Sequence, residues 1–182
     1  MAACRRCGVA PPVSIQNECV VLLRPCGLFG AVLTSVASAS LSFSLLDRRF
    51  ESELAEACSD ANHNLGLLAY GALCGGTLSG KGLVEGSRHK LFPTFQSRYH
   101  CEASRAAAAR YAEIARAAGM SPATLALAWA FSRFFMASVI IGATTLEQLT
   151  ENIKAADVVL SKEVFSQIDA VHAEIRNPNL RN

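Results

Sequence analysis

Three short stretches carry groups able to grip a charged ligand. Gly75 to Gly82 reads GGTLSGKG and follows the apolar run LGLLAY, Leu65 to Tyr70. Glycine lets backbone N–H groups approach an anion, and Lys81 would add positive charge. A second apolar run, ASVIIGA, ends in Gly142-Ala143, with Thr144 next. Thr145-x-x-Gln148 then has capping-box form, so a helix would point its positive end at the same place. Gln16-Asn17 close a third stretch, PPVSIQN. Tyr70 supplies a flat ring for stacking. Together these read as a phosphate-binding rim, although the glycine pattern is neither the dinucleotide fingerprint nor a Walker loop. The alternative reading of Gly75 to Gly82 is an ordinary flexible surface loop.

Groups for catalysis are scarce. His63, His89, His100 and His172 sit in no partnering pattern, and His63 and His172 are expected at the surface near helix ends. No Ser-His-Asp order, no paired carboxylates in a motif and no H-E-x-x-H occur. Cys4-x-x-Cys7 could be half of a zinc site completed by Cys19 and Cys26, but the second pair is too widely spaced for common structural sites. The seven cysteines, an odd count, read instead as free thiols in a reducing compartment. A net charge of +2 gives no argument for nucleic acid or an acidic membrane surface.

The elements that must position the rim follow from periodicity. Val13–Asn17, Leu65–Tyr70 and Ala137–Ala143 read as strands, the last two buried on both faces. Helices are expected over about 50–62, 103–118, 121–133, 145–155 and 161–175, with Ser121-Pro122, Thr145 and Ser161 as N-terminal signals. Residues 71–102 read as a long functional loop, and 176–182 as a polar, mobile tail. Apolar strands alternating with helices argue for an α/β fold on a parallel sheet, where ligands sit at the carboxyl ends of strands. The stretch between Arg24 and Asp47 holds 22 consecutive uncharged residues. Its length is enough to span a bilayer, yet it is rich in serine; by itself it leaves open a membrane span, a secretion signal, a buried helix or an insert.

At VSIQNE … SLLDRRFE, GLLAYGALCGGTLSGK, GSRHKLFPTFQSRY and VIIGATTLEQLTENI the chain resembles the aldo-keto reductase family, in its NADP(H)-dependent branch of bacteria and plants. The resemblance covers about residues 8–18 and 43–178. It implies a partial (β/α)8 TIM barrel, the C-terminal half with strands six to eight, in a single partial domain. It also implies that Gln16 holds the nicotinamide carboxamide and that Tyr70 stacks on the nicotinamide ring. Leu73 to Lys81, with Leu73, Gly75, Leu78, Gly80 and Lys81, would wrap the pyrophosphate. Gly142, Ala143, Thr144, Gln148 and Asn152 would hold the adenosine 2′-phosphate and adenine. Gly71 departs from the serine usual after the tyrosine.

The Asp, Tyr, Lys and His of the family's catalytic tetrad have no counterpart here, so the chain alone is expected to lack the general acid that protonates a carbonyl oxygen. SIQNE and FSLLDRRFE are contiguous in the family but separated here by Cys19 to Ser42, which reads as an insertion, a translated intron being one origin. A span there would split the two flanks across a bilayer. The resemblance implies NADP(H) as cofactor, a small carbonyl substrate, no nucleic acid and a cytoplasmic location. Self-association through open half-barrel edges is expected. The competing reading is a non-catalytic remnant or interaction module, or a wrongly delimited gene product with no role.

Overall fold

The computed structural model describes residues 20–23, 37–59, 61–62, 65–80, 90, 94, 96–99 and 101–180. Four strands form one sheet: β1 (Val20–Leu23), β2 (Ala37–Ser42), β3 (Gly66–Tyr70) and β4 (Met136–Val139), in that spatial order. β2, β3 and β4 are mutually parallel, and β1 lies antiparallel on β2. Five α-helices accompany them among the described residues: α1 (Glu53–Cys58), α2 (Glu102–Ala117), α3 (Pro122–Phe131), α4 (Leu146–Lys154) and α5 (Lys162–Glu174). The chain is therefore α/β with a three-strand parallel sheet, as expected.

The identity of the first parallel strand is not the one expected. Val13–Asn17 lies outside the described residues, and Ala37–Ser42, ASASLS, takes the place beside β3. Both described parts of the segment read as an insertion are thus sheet strands. Small Ala and Ser have little β-preference, so this strand is imposed by its neighbour β3 rather than by its composition. Its register, Ser42↔Tyr70, brings the two strand ends level.

Local chemistry sets the helix boundaries. Ser121, Thr145 and Ser161 each accept a backbone N–H with the side chain, from Thr124, Gln148 and Val164 respectively. α3 buries every residue from Leu125 to Ala130, which is why it reads as apolar all round. α2 buries Ser104, Ala107, Tyr111 and Ala115, one stripe at helical spacing. The helix expected over 50–62 is shorter, a 3-10 turn Arg49–Glu51 followed by α1.

The core sits between the sheet and α2–α3. Phe43 stacks on Trp129 at 5.1 Å and meets Phe135 edge-on at 5.4 Å. Arg48 and Arg133 place guanidinium groups 5.0 and 4.7 Å from the Trp129 ring centre. Glu51 lies against both cations, 2.5 Å from Arg48 Nε and 3.3 Å from Arg133 NH1. Burial lowers the Arg133 pKa, with Glu51 opposing.

Two further expectations need correction. Residues 137–143 were to be a strand buried on both faces, but β4 ends the sheet, so Ala137 and Ser138 are exposed and Ile140 is 50% exposed. The tail expected to be mobile is docked: Asn177 Oδ1 accepts the Arg48 N–H at 2.9 Å and Asn179 Nδ2 donates to Asp47 Oδ2 at 3.1 Å. Asn177 takes up the free Arg48 N–H, Asn179 adds a bond to a carboxylate oxygen that Arg49 also holds, and Asn179 is only 2% exposed.

Candidate functional site at the strand ends

The carboxyl ends of β2, β3 and β4 gather most of the described rim residues. β2 runs directly into Ser44-Leu45-Leu46-Asp47, a tight turn closed by reciprocal backbone bonds of 3.0 Å between Ser44 and Asp47. Asp47 is fully buried and held by Arg49, through Oδ1 at 2.8 Å and Oδ2 at 2.9 Å. The buried carboxylate of the S-L-L-D-R-R motif accepts two bonds from Arg49 and one from Asn179, and so ties the turn to the C-terminal segment.

At the end of β3, Tyr70 is half-buried and Gly71 turns the chain with φ +71°. A Cβ on Gly71 would lie 3.4 Å from the Tyr99 hydroxyl and 3.8 Å from Ser42 Oγ. The departure from serine at this position therefore coincides with a left-handed backbone that favours glycine. Residues 74–79 form a 3-10 turn. Within it the N–H groups of Cys74, Gly76 and Leu78 close on the carbonyls of Gly71 and Leu73, at 2.8, 2.9 and 3.2 Å. Leu78 is buried, so its side chain belongs to the core. Leu73 packs against the same core, and Gly75 is half-buried on the turn. Gly80 ends the turn at φ +73°, where a Cβ would stand 2.7 Å from Pro122 Cγ at the start of α3. The loop is a compact turn wedged against a helix. Gln16 and Lys81 lie outside the described residues.

At the end of β4 the assigned residues form one hydrogen-bonded unit. Gln148 Oε1 accepts from Thr144 N–H and Thr144 Oγ1, both at 3.1 Å. Asn152, 3% exposed, donates Nδ2 to Gly142 O at 3.4 Å. The two α4 amides therefore hold the 142–144 segment in shape. Gly142, Ala143 and Thr144 are all exposed, and nothing lies within 4 Å of a Cβ placed on Gly142. A separate groove of ≈ 540 Å³, lined by none of them, runs between Thr124 of α3 and Leu146, Glu147, Thr150, Glu151 and Lys154 on another face of α4. Ser121 Oγ donates to the Glu151 carboxylate at its border.

Two residues that the motifs did not single out join the β2 and β3 ends. The Tyr99 hydroxyl meets Ser42 Oγ at 3.2 Å, and the Arg98 guanidinium lies over the Tyr99 ring at 4.9 Å. Burial raises the Tyr99 pKa, with Cys74 nearby adding to the shift, so the hydroxyl stays protonated. Arg98 Nε is buried without a hydrogen-bond partner among the described residues. In sequence the pair closes the motif GSRHKLFPTFQSRY, where neither residue is given a role, since a basic-aromatic dipeptide is common on any surface. His172 is half-buried rather than at the surface: burial, then Arg48 and Arg176, lower its pKa to about 4. Cys58, Cys74 and Cys101 are free thiols, and no metal-holding cluster occurs among the described residues. Cys4, Cys7, Cys19 and Cys26 lie outside them. No described helix is long and apolar enough to cross a membrane.

Comparison with known proteins accounts for this arrangement. The profile of the Aldo/keto reductase family matches residues 31–173, and so takes in β2. The chain is 43% identical over 134 residues to Protein tas of Escherichia coli (strain K12), covering 71% of this chain and 38% of that protein. It is 31% identical over 129 residues to the Uncharacterized oxidoreductase YrpG of Bacillus subtilis (strain 168), with the same coverage of 71% and 38%. An Aldo-keto reductase of Babesia bovis is 32% identical over 157 residues, 81% of this chain and 55% of that protein. The chain thus spans between about two fifths and just over half of the length of these relatives. With the match running through the parallel sheet, the β3 turn and the α4 segment, the chain belongs to the aldo/keto reductase family.

Proposed function

We propose that these 182 residues are the nucleotide-holding part of an NADP(H)-dependent aldo-keto reductase, a partial (β/α)8 barrel of strands six to eight. The longer family form would reduce an aldehyde or ketone to the alcohol. The observation that carries this reading is the hydrogen bonding of Thr144 to Gln148 and of Gly142 to Asn152, which keeps an exposed backbone segment in shape at the N-terminus of α4. This segment would take the adenosine end. Tyr70 would stack on the nicotinamide, and Gly71, Leu73, Gly75, Leu78 and Gly80 would line the pyrophosphate with backbone. Arg98, whose guanidinium lies over Tyr99 and whose Nε has no hydrogen-bond partner among the described residues, would give that N–H to a phosphate oxygen. The cofactor supplies hydride chemistry when bound.

The chain alone carries no counterpart of the family's proton donor. Tyr70 is given to stacking, Tyr99 is 1% exposed and engaged with Ser42, and Tyr111 is 1% exposed and donates to Leu45 O. We therefore read this polypeptide as able to bind the nucleotide and unable to turn over. A location in the cytoplasm fits this reading, as does association through the open side of the sheet.

The test is titration of the purified chain with NADPH, followed by nicotinamide fluorescence, and an assay with reactive aldehydes. Binding that weakens at least tenfold in Arg98→Ala or Gln148→Ala, with no aldehyde reduction, supports the proposal. Absence of any binding, or turnover that disappears in Tyr70→Ala, contradicts it.

A further inference from the structure

One buried hydroxyl joins separate stretches of the chain where β2 and β3 end. The Tyr99 oxygen stands 3.2 Å from Oγ of Ser42, the last residue of β2. Ser42 is the register partner of Tyr70, the last residue of β3, and Phe43 N–H donates to Tyr70 O at 3.2 Å. The Tyr99 oxygen also stands 3.4 Å from where a Gly71 Cβ would lie, so it faces the open side of the residue after Tyr70. Cys74, on the turn after β3, and Arg98 hydrogen-bond to the same hydroxyl. Tyr99 itself hangs from a braced turn. Ser104 Oγ of α2 donates to Arg98 O at 3.2 Å, and Cys101 Sγ donates to Pro178 O at 3.3 Å. The docked Pro178–Leu180 turn packs against Ser97–Tyr99.

We infer that Tyr99 is a positioning residue for the nicotinamide end of the site: its hydroxyl, bonded to Ser42, fixes the Tyr70–Gly71 peptide and so the angle at which the Tyr70 ring meets the cofactor. The inference rests on the nucleotide reading above, in which Tyr70 stacks. Two features favour positioning over simple filling. A phenylalanine would occupy the same volume without a buried oxygen to satisfy, so packing alone does not call for the hydroxyl. Its partners Ser42 and Cys74 lie on the end of β2 and on the turn after β3, the side on which parallel sheets hold ligands. Ring stacking depends on offset and tilt, so a shift of the peptide that carries Tyr70 reaches the nicotinamide directly. The bonds that shape the adenosine end run among Gly142, Thr144, Gln148 and Asn152 instead, so the two ends can be disturbed separately.

Titration of the whole chain with NADPH and, separately, with adenosine 2′-phosphate tests it, on Tyr99→Phe and on Ser42→Ala, which removes the other half of the bond. The expected result is a dissociation constant for NADPH that rises about fivefold in each variant, while that for adenosine 2′-phosphate stays within about twofold. The double variant should be no weaker than the single ones, because all three lack the same bond. Far-ultraviolet melting checks that the variants fold, and Ser42→Ala decides alone where Tyr99→Phe does not. A loss that falls equally on both ligands shows that the hydroxyl only stabilises the fold and overturns the inference. NADPH binding unchanged in the variants overturns it too and leaves the nucleotide reading standing. So does an unsubstituted chain that holds adenosine 2′-phosphate as tightly as NADPH, since the nicotinamide end then contributes nothing. An unsubstituted chain that binds neither ligand overturns the nucleotide reading and this inference with it.

Discussion

The block around Trp129 and the flank of β4 and α4 are built on opposite terms. In the block, Trp129, Phe43, Phe50 and Leu125 are at most 1% exposed, and the flanking cations are paired with Glu51. On the flank, Ile140, Leu146 and Ile153 are at least half exposed. Both regions are apolar in sequence, so hydrophobicity does not separate them. What separates them is the supply of neighbours: α3 has the sheet on one side and other helices around it, while β4 has β3 along one edge only and α3 on one face. The same residue types are buried in one place and exposed in the other.

That contrast can be broken by substitution. Trp129→Ala should have the largest effect, about 4 kcal/mol of lost stability, because a large cavity opens and two guanidinium groups lose their ring. Urea unfolding midpoints measure it. Gly80→Ala should cost about 2 kcal/mol, since it combines a left-handed backbone with a contact of 2.7 Å to Pro122 Cγ. The loss should appear as a lowered melting temperature.

The block should also respond to acid through His172. Its folded pKa, lowered to about 4, lies below the unfolded value of 6.5, so the unfolded chain binds the extra proton between those values. Stability should fall as pH drops from about 6.5 toward 4, by about 1–2 kcal/mol after allowance for solvent screening. His172→Gln should flatten that part of a stability–pH curve. Asn152→Ala should cost about 1 kcal/mol by releasing the Gly142 carbonyl, and should raise amide hydrogen exchange at residues 142–144. Leu146→Ala should be smallest, within about 0.5 kcal/mol in the monomer, because its side chain is already in water. A large loss there would show that the flank is covered and would dissolve the contrast.

Local signals were the legible part of this molecule. Ser121, Thr145 and Ser161 cap where their spacing says, because capping depends only on residues a few positions away. The periodicity of α2 and the apolar run of β3 are equally local. The identity of the first parallel strand was not legible, because Ala37–Ser42 owes its conformation to pairing with β3. Nor was the exposure of Ile140, since VIIG in an edge strand looks the same as VIIG in a central one. Arg98 and Tyr99 were hidden because their meeting with Ser42 spans 57 residues of sequence. Among the assigned site residues, Thr144, Gln148 and Asn152 were legible as types, while their mutual bonding follows from the helix geometry of α4.

Cys74 gives this architecture an internal clock. Its Sγ lies 3.1 Å from Ser44 Oγ, it is completely buried, and burial pushes its pKa up to about 12. At neutral pH the folded state therefore offers an alkylating reagent neither access nor a thiolate. Modification of Cys74 must wait for the turn at the end of β3 to lift away from β2. Its rate, followed by peptide mass spectrometry at increasing reagent, counts those openings directly. Compared with the global unfolding rate, it tells whether the turn after β3 breathes by itself or only when the whole sheet comes apart.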